Sequence, residues 1–472
     1  MLFNSLVFLF LFLPVTYVVF WNLKTANARF IWLTITGYVF YGYWDIRFCL
    51  LMAFSTLVSY TAGLGFLKAT SQRTRLLCLV VPITIDLLLL GFFKYANFVL
   101  EQLAVLAGML GWHVLDHRFD ILLPVGISFY TFHTITYIVD CYRGTIKPTR
   151  NLFEFGAYVS LFSQLVAGPI VRFRQIEEDL ENLGQASRER WLTLGISFFV
   201  FGLVEKVLLA DTLASFVDPA WKSYQDLDTL GAWLAVLGYT FQLYFDFSGY
   251  SSMAVGLGYM FGLRIPQNFN SPYKALDPSD FWQRWHISLS SCLRDYLYIP
   301  LGGNRHGTFA MYRNLMITML LGGLWHGSYR PDKDEDVWHF LVWGGYHGLL
   351  LIVYRLVAPW WNRLPALARQ LGMFLLAVIG WVFFRANNIE IAWTMLTTMF
   401  TPVAGMPPAH AETFAILILL ALVWGMFGPN AFDWHKDFHW STRTAYVVAF
   451  FFGASLAMIM SARNSPFLYF QF

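Results

Sequence analysis

The 472-residue chain is poor in charge, with Asp, Glu, Lys and Arg making up only 13% of it. A soluble domain usually carries about 25%. With 57% hydrophobic residues, that shortage excludes a water-soluble globular protein and indicates an integral membrane protein. Net charge is only +3 and dispersed, so nucleic acid is not an expected partner. Cysteine is scarce too. Cys49, Cys78, Cys141 and Cys292 are scattered with no CxxC pair, which supports neither a disulfide framework nor a zinc site; they read as small buried hydrophobes. A Walker A sequence, a dinucleotide glycine fingerprint and a G-x-S-x-G elbow are all missing. An ATP-driven pump, a Rossmann oxidoreductase and an α/β-hydrolase are therefore unsupported. With no convincing internal repeat, low-complexity tail or long linker, residues 1–472 read as a single membrane domain.

What is present is a series of apolar stretches separated by short polar breaks, from residues 2–21 to residues 443–461. Barrel-type strand alternation is not evident, so the expected class is all-α and polytopic. A perpendicular span needs about 20 residues, and the stretches give roughly 11–13 membrane helices plus re-entrant or interfacial ones. Residues 1–21 lack a basic start and a clear small-residue cleavage site, and read as a retained first membrane helix. The segment 172–191 mixes both signs of charge and reads as a surface helix and turn. Segment 263–313 sets Arg264, Lys274, Arg284, Arg294, Arg305 and Arg313 against Asp277, Asp280 and Asp295, an excess that favours the cytoplasmic side. Within it, residues 281–305 are too polar to span. Trp282, Trp285, Leu289 and Leu293 share one helical face and Arg284, Ser288 and Ser291 another, the pattern of a helix lying at or dipping into the interface. A simple amphipathic connector fits the same spacing. Pro300-Leu301-Gly302-Gly303-Asn304 ends the segment with turn chemistry.

His326 closes an apolar stretch in Leu321-Gly322-Gly323-Leu324-Trp325-His326-Gly327. An imidazole is costly in hydrocarbon and needs a partner or a purpose, and the glycines let another chain or a ligand approach the backbone. Two readings stand: a core histidine donating to a carbonyl, or a general base that takes a proton from a hydroxyl or thiol attacking an acyl carbon. His286 is the candidate to orient it. Asp246 is a buried carboxylate expected to pair with an Arg or hydroxyl of another helix. Lys94, Asp140, Glu205, Lys206 and Asp211 are similar charges, and adjacent Glu205 and Lys206 need different partners. His113 with His117, and His435 with His439, have metal-capable spacing, but in Trp-rich loops interfacial anchoring is the ordinary explanation and no metal is expected. His133, His306, His339, His347 and His410 have no supporting constellation.

Several motifs resemble the membrane-bound O-acyltransferases. They are Tyr244-Phe245-Asp246-Phe247-Ser248-Gly249-Tyr250-Ser251, Asn268-Phe269-Asn270-Ser271-Pro272-Tyr273, Phe281-Trp282-Gln283-Arg284-Trp285-His286-Ile287-Ser288, Leu293-Arg294-Asp295-Tyr296-Leu297-Tyr298, and the His326 run itself. Phe93-Lys94-Tyr95, Leu123-Pro124-Val125-Gly126 and Val166-Ala167-Gly168-Pro169 fit the family's bacterial alginate O-acetylation type. The resemblance implies that His326 is the catalytic histidine and His286 the second motif histidine, with Trp325, Arg284, Asp246, Ser288 and Asn270 supporting them or lining a tunnel. It implies a helical funnel, thin at its centre, in a bacterial inner membrane and surrounded by membrane lipids. No bound cofactor is implied. The donor would be acetyl-CoA or an equivalent acyl thioester, and acetyl would pass to periplasmic transfer proteins that modify a polysaccharide such as alginate, contacted only indirectly. Peptidoglycan or cellulose could replace alginate. From other classes, a polysaccharide or small-molecule transporter or a passive scaffold would explain the helices, though a scaffold leaves the histidines unexplained. Two departures stand out: Ser252 occupies a position where alginate-type members usually carry Asp, and a charged loop, 330–336, follows His326 and reads as solvated.

Overall fold

The structure, a computed structural model, describes residues 1–112, 119–185, 188–328, 336–436, 439–461 and 467–468. His113, His117, Asp437 and residues 330–335 of the charged loop lie outside the described residues. Elsewhere the chain is helical, with one isolated parallel bridge between Leu227 and Met406. This is the all-α polytopic architecture expected from composition.

The polar breaks between apolar runs start the helices. Ser71 Oγ accepts from Thr74 N at 3.1 Å, Asp228 Oδ1 from Gly231 N at 2.6 Å, and Asn388 Oδ1 from Ile391 N at 2.9 Å. Each satisfies an amide that the first helical turn leaves unpaired, a need sharpened beside hydrocarbon. Among the described residues six helices are long and apolar enough to cross a membrane, with three shorter apolar helices at Phe8–Asn22, Ile389–Phe400 and Ala411–Phe427. Exposed Leu76, Leu77, Leu87 and Leu88, and Ile416, Leu419, Leu420 and Val423, give the outside its apolar lipid-facing surface.

Eight helices build the site: α1 (Gln72–Met109), α2 (Ile127–Arg143), α3 (Thr229–Met260), α4 (Pro278–Arg284), α5 (Ile287–Leu293), α6 (Gly307–His326), α7 (Trp338–Trp361) and α8 (Ala366–Arg385). Of these, α3 and α6 are long but fall outside the six apolar spans. For α3 the reason is its interior position. α3 is buried along nearly its whole length and spends residues on Gln242, Asp246, Ser248, Ser251 and Ser252. It meets the Arg188–Leu203 helix backbone to backbone: a Cβ on Gly249 would stand 2.6 Å from Gly202 O, and one on Gly256 2.6 Å from Gly195 O. Small residues permit such close helix contact in a membrane. Ser252 packs into the same crossing, over Gly202.

The segment 281–305 departs from the single interfacial helix anticipated. It is two short helices, α4 and α5, then a π-turn, Arg294–Tyr298. The break falls at His286, whose φ of 43° and ψ of 55° are left-handed. A non-glycine residue holds that conformation only when its surroundings demand it. Each anticipated face has buried members, Trp285 and Leu289 on one and Ser288 on the other, so the segment packs into the protein. Gly302 and Gly303 then turn the chain with φ of 108° and 55°. Segment 172–191 forms the expected helix, Phe173–Glu181, fastened to Arg264 through Asp179 at 2.6 Å.

Candidate active site

His326 is the last residue of α6 and is 5% exposed. Its Nδ1 lies 2.7 Å from Gly322 O. A carbonyl only accepts, so Nδ1 carries the hydrogen, and in the neutral ring the basic lone pair sits on Nε2. The imidazole is held edge-on by Trp325, Trp343 and Phe384, at centroid distances of 4.7, 5.1 and 5.3 Å. The carbonyl partner of the first reading is present, and the same bond places the basic lone pair that the second reading requires on the other nitrogen.

The flanking glycines serve helix contact. A Cβ on Gly323 would lie 2.3 Å from Phe340 O, and one on Gly344 2.4 Å from Met319 O, so α6 and α7 cross with backbones touching. The carbonyls at the end of α6 lack intrahelical donors. α1 supplies them: Lys94 Nζ donates to Trp325 O, and Tyr95 OH to Leu324 O at 2.6 Å. A cation at the carbonyl end of a helix also opposes its dipole.

His286 is 1% exposed and sits against Phe247 at 4.7 Å and Trp325 at 6.3 Å. Trp325, contacting both imidazoles, stands between the two histidines and packs on Phe129 and Phe132 of α2. His286 Nδ1 lies 3.1 Å from Asn268 Oδ1, which also accepts from Ser288 N at 3.1 Å and Ser288 Oγ at 2.8 Å. Asn268 Nδ2 donates to Ser251 Oγ on α3 at 3.1 Å. Ser288 is therefore part of the His286 surround.

The other anticipated residues lie elsewhere. Asn270 accepts from Asn430 Nδ2 at 3.1 Å, and its backbone N–H and carbonyl are tied to Arg284. Arg284 pairs with Asp280 at 2.6 Å. Asp246 is paired with Lys206, not with the Arg or hydroxyl anticipated, and accepts from Leu468 N at 3.0 Å. Lys206 also reaches Asp211 at 2.8 Å, while Glu205 accepts from Ser248 at 3.1 Å, so these adjacent residues do have different partners. Asp246 still borders the site, since the next residue, Phe247, is the ring against His286. His435, anticipated as a wet-loop anchor, instead stacks on Phe198 at 3.8 Å and bonds Ser197 Oγ at 2.7 Å.

No role for Asn268, Tyr95 or Trp343 could be read from the sequence. Asn268 stood in a quoted motif beside Asn270, but nothing in the sequence says which asparagine faces the histidine. His347, set aside earlier, lies between Phe281 at 5.9 Å and Trp343 at 5.0 Å, one aromatic ring away from His326.

The sequence model of the membrane-bound O-acyltransferase family matches residues 146–393. The chain is 46% identical over 445 residues to "Probable alginate O-acetylase AlgI" of Pseudomonas aeruginosa, covering 92% of this chain and 82% of that one. The Azotobacter vinelandii protein of the same description is 40% identical, with full coverage of both chains (100% and 100%). "Peptidoglycan O-acetyltransferase" of Helicobacter pylori is 35% identical over 84% of this chain and 80% of its own. Similarity of this extent, over a helical membrane fold, makes the chain a member of the membrane-bound O-acyltransferase family, and so an O-acyltransferase.

Proposed function

We propose that the protein takes acetyl from acetyl-CoA on the cytoplasmic side of a bacterial inner membrane and passes it across for O-acetylation of an exopolysaccharide of the alginate type. The observation that carries this is His326, a buried imidazole whose Nδ1 bond to Gly322 leaves Nε2 as the basic nitrogen. In the proposed step Nε2 accepts the proton of an acceptor hydroxyl as its oxygen attacks the thioester carbonyl carbon. The C–O bond forms, the C–S bond breaks, and the departing thiolate takes up the proton. His286, oriented by Asn268, supports the acyl group from the other side of Trp325. Alginate as the polymer rests on the names of these relatives and on identity over nearly the whole chain. Peptidoglycan is the second reading, favoured by the Helicobacter pylori relative. Coenzyme A is too charged to cross a bilayer, but a two-carbon acyl group is not. Acetyl is therefore handed to periplasmic transfer proteins, and the polysaccharide is reached through them.

The test is His326→Ala against wild type at equal membrane levels, measuring O-acetyl content and total polymer. Acetyl lost with polymer retained is the expected outcome. Acetylation persisting in the variant would overturn the role of His326, and loss of polymer export would favour a transporter.

A further inference from the structure

Four arginines gather around one residue, Asp295, just beyond α5, away from the contacts that hold the histidines. Asp295, in the Arg294–Tyr298 turn, receives Arg172 Nη1 at 2.7 Å and Arg294 Nε at 2.7 Å, and lies 3.8 Å from Arg174 Nη2. Its backbone carbonyl accepts from Arg143 Nη1 and Nη2 at 3.3 and 3.2 Å. A second carboxylate, Asp140, lies 3.7 Å from Arg174 Nε and accepts from Tyr296 OH at 2.8 Å. The Tyr296 ring sits under Arg143 and Arg172, at 5.2 and 5.1 Å. Three guanidinium groups thus meet two carboxylates and a fourth meets a backbone carbonyl, leaving positive charge in excess.

Arg172 sharpens the point. It is 4% exposed, and its Nη2 has no hydrogen-bond partner among the described residues. A buried guanidinium N–H calls for an acceptor. Above this floor the cluster opens outward, because the side chains of Arg174 and Arg294 are 38% and 62% exposed. Planar forks of N–H donors match phosphate oxygens two at a time, which a scattered surface charge does not.

We infer that Arg143, Arg172, Arg174 and Arg294 form a phosphate-binding site that holds the coenzyme A end of the donor. The inference rests on the donor named above. It deepens that reading, because the cluster is joined to the histidines by one short piece of backbone. Ile170 N donates to Ser288 Oγ at 2.9 Å, and Arg172 follows two residues later. A long donor anchored by its phosphates at one end can present its thioester at the other. The basic excess on these segments also matches the side of the membrane where coenzyme A is found.

The test uses the full-length protein in neutral-lipid nanodiscs, with Arg174→Ala, Arg294→Ala and the double variant, all at exposed positions. Coenzyme A binding is measured with inorganic pyrophosphate as competitor and acetyl-pantetheine, which lacks phosphate, as control. The expected result is displacement by pyrophosphate in wild type, and about a tenfold or greater loss of coenzyme A affinity in the double variant with acetyl-pantetheine binding unchanged. Unchanged coenzyme A affinity, or a parallel loss for acetyl-pantetheine, overturns the site. If wild type binds no coenzyme A but retains an anionic lipid that the double variant loses, the phosphate is a headgroup and the coenzyme A assignment fails. Acetyl transfer from acetyl-CoA by wild-type membranes is assayed separately. Its absence counts against the donor and leaves the binding result standing.

Discussion

A single oxygen, Asn268 Oδ1, holds both His286 Nδ1 and Ser288, at 3.1 Å from the ring nitrogen and 2.8 Å from the hydroxyl. Replacing Asn268 with Ala leaves the Ser288 amide and the ring N–H without their acceptor, at about 1–3 kcal/mol for each buried group. Acetyl transfer should fall about tenfold or more. The check is the transfer rate at matched membrane levels, and Asn268→Asp, which keeps an acceptor, should retain more activity than Ala. Equal rates for wild type and Ala would deny His286 a part in the reaction.

Lys94 reaches across from α1 to the carbonyl preceding His326. Lys94→Met removes a charged donor from that buried carbonyl, and the rate should drop about tenfold or more. Lys94→Arg keeps the charge and a donor but not the compact shape, so an intermediate rate is expected.

Neighbouring glycines should behave differently. A Cβ at Gly323 meets Phe340 O at 2.3 Å, which forces α6 from α7, whereas at Gly322 it meets only Leu293 Cδ1 at 3.2 Å. Gly323→Ala should abolish activity and lower the thermal midpoint in detergent, while Gly322→Ala should be tolerated. Overpacking of this kind costs about 1–3 kcal/mol or more.

Asp295 gives a pH signature. Burial pushes its carboxyl up, but hydrogen bonds from Arg294 and Arg172 outweigh that and hold it below the usual carboxylate range. The sign follows from linkage: a depressed folded pKa contributes stability above the unfolded value and loses it as pH falls through the folded one. The stability gap between wild type and Asp295→Asn should therefore be flat from about pH 6 to 8 and shrink only below about pH 4. Thermal melts across that range check it.

The sequence showed this fold through its shortage of charge and its repeated apolar runs, since a hydrocarbon environment leaves little choice but helices. It also pointed to His326 and His286, because imidazoles there stand out. Less legible was anything that depends on which of two similar groups faces inward. Asn268 and Asn270 differ only in orientation, and the partner of Asp246 is a lysine 40 residues upstream that no local pattern links to it. The 281–305 segment differs from its sequence pattern for a related reason. Its aromatic and polar faces fit an interfacial helix, but burial on both faces and a left-handed His286 are set by tertiary contacts. The α3 helix escaped a simple hydropathy criterion because interior helices give up apolar residues for polar partners and close contact.

The meeting of α6 and α7 at Gly323 and Gly344 has a mechanical meaning. Two backbones in direct contact have no side chain between them to change rotamer or compress. The distance from His326 to Trp343 is thus governed by main-chain geometry, while leucine-rich outer helices such as Ala411–Phe427 face the lipid. Variation in bilayer thickness will be absorbed by tilting of those outer helices, and the imidazole will keep its place as the surrounding membrane changes.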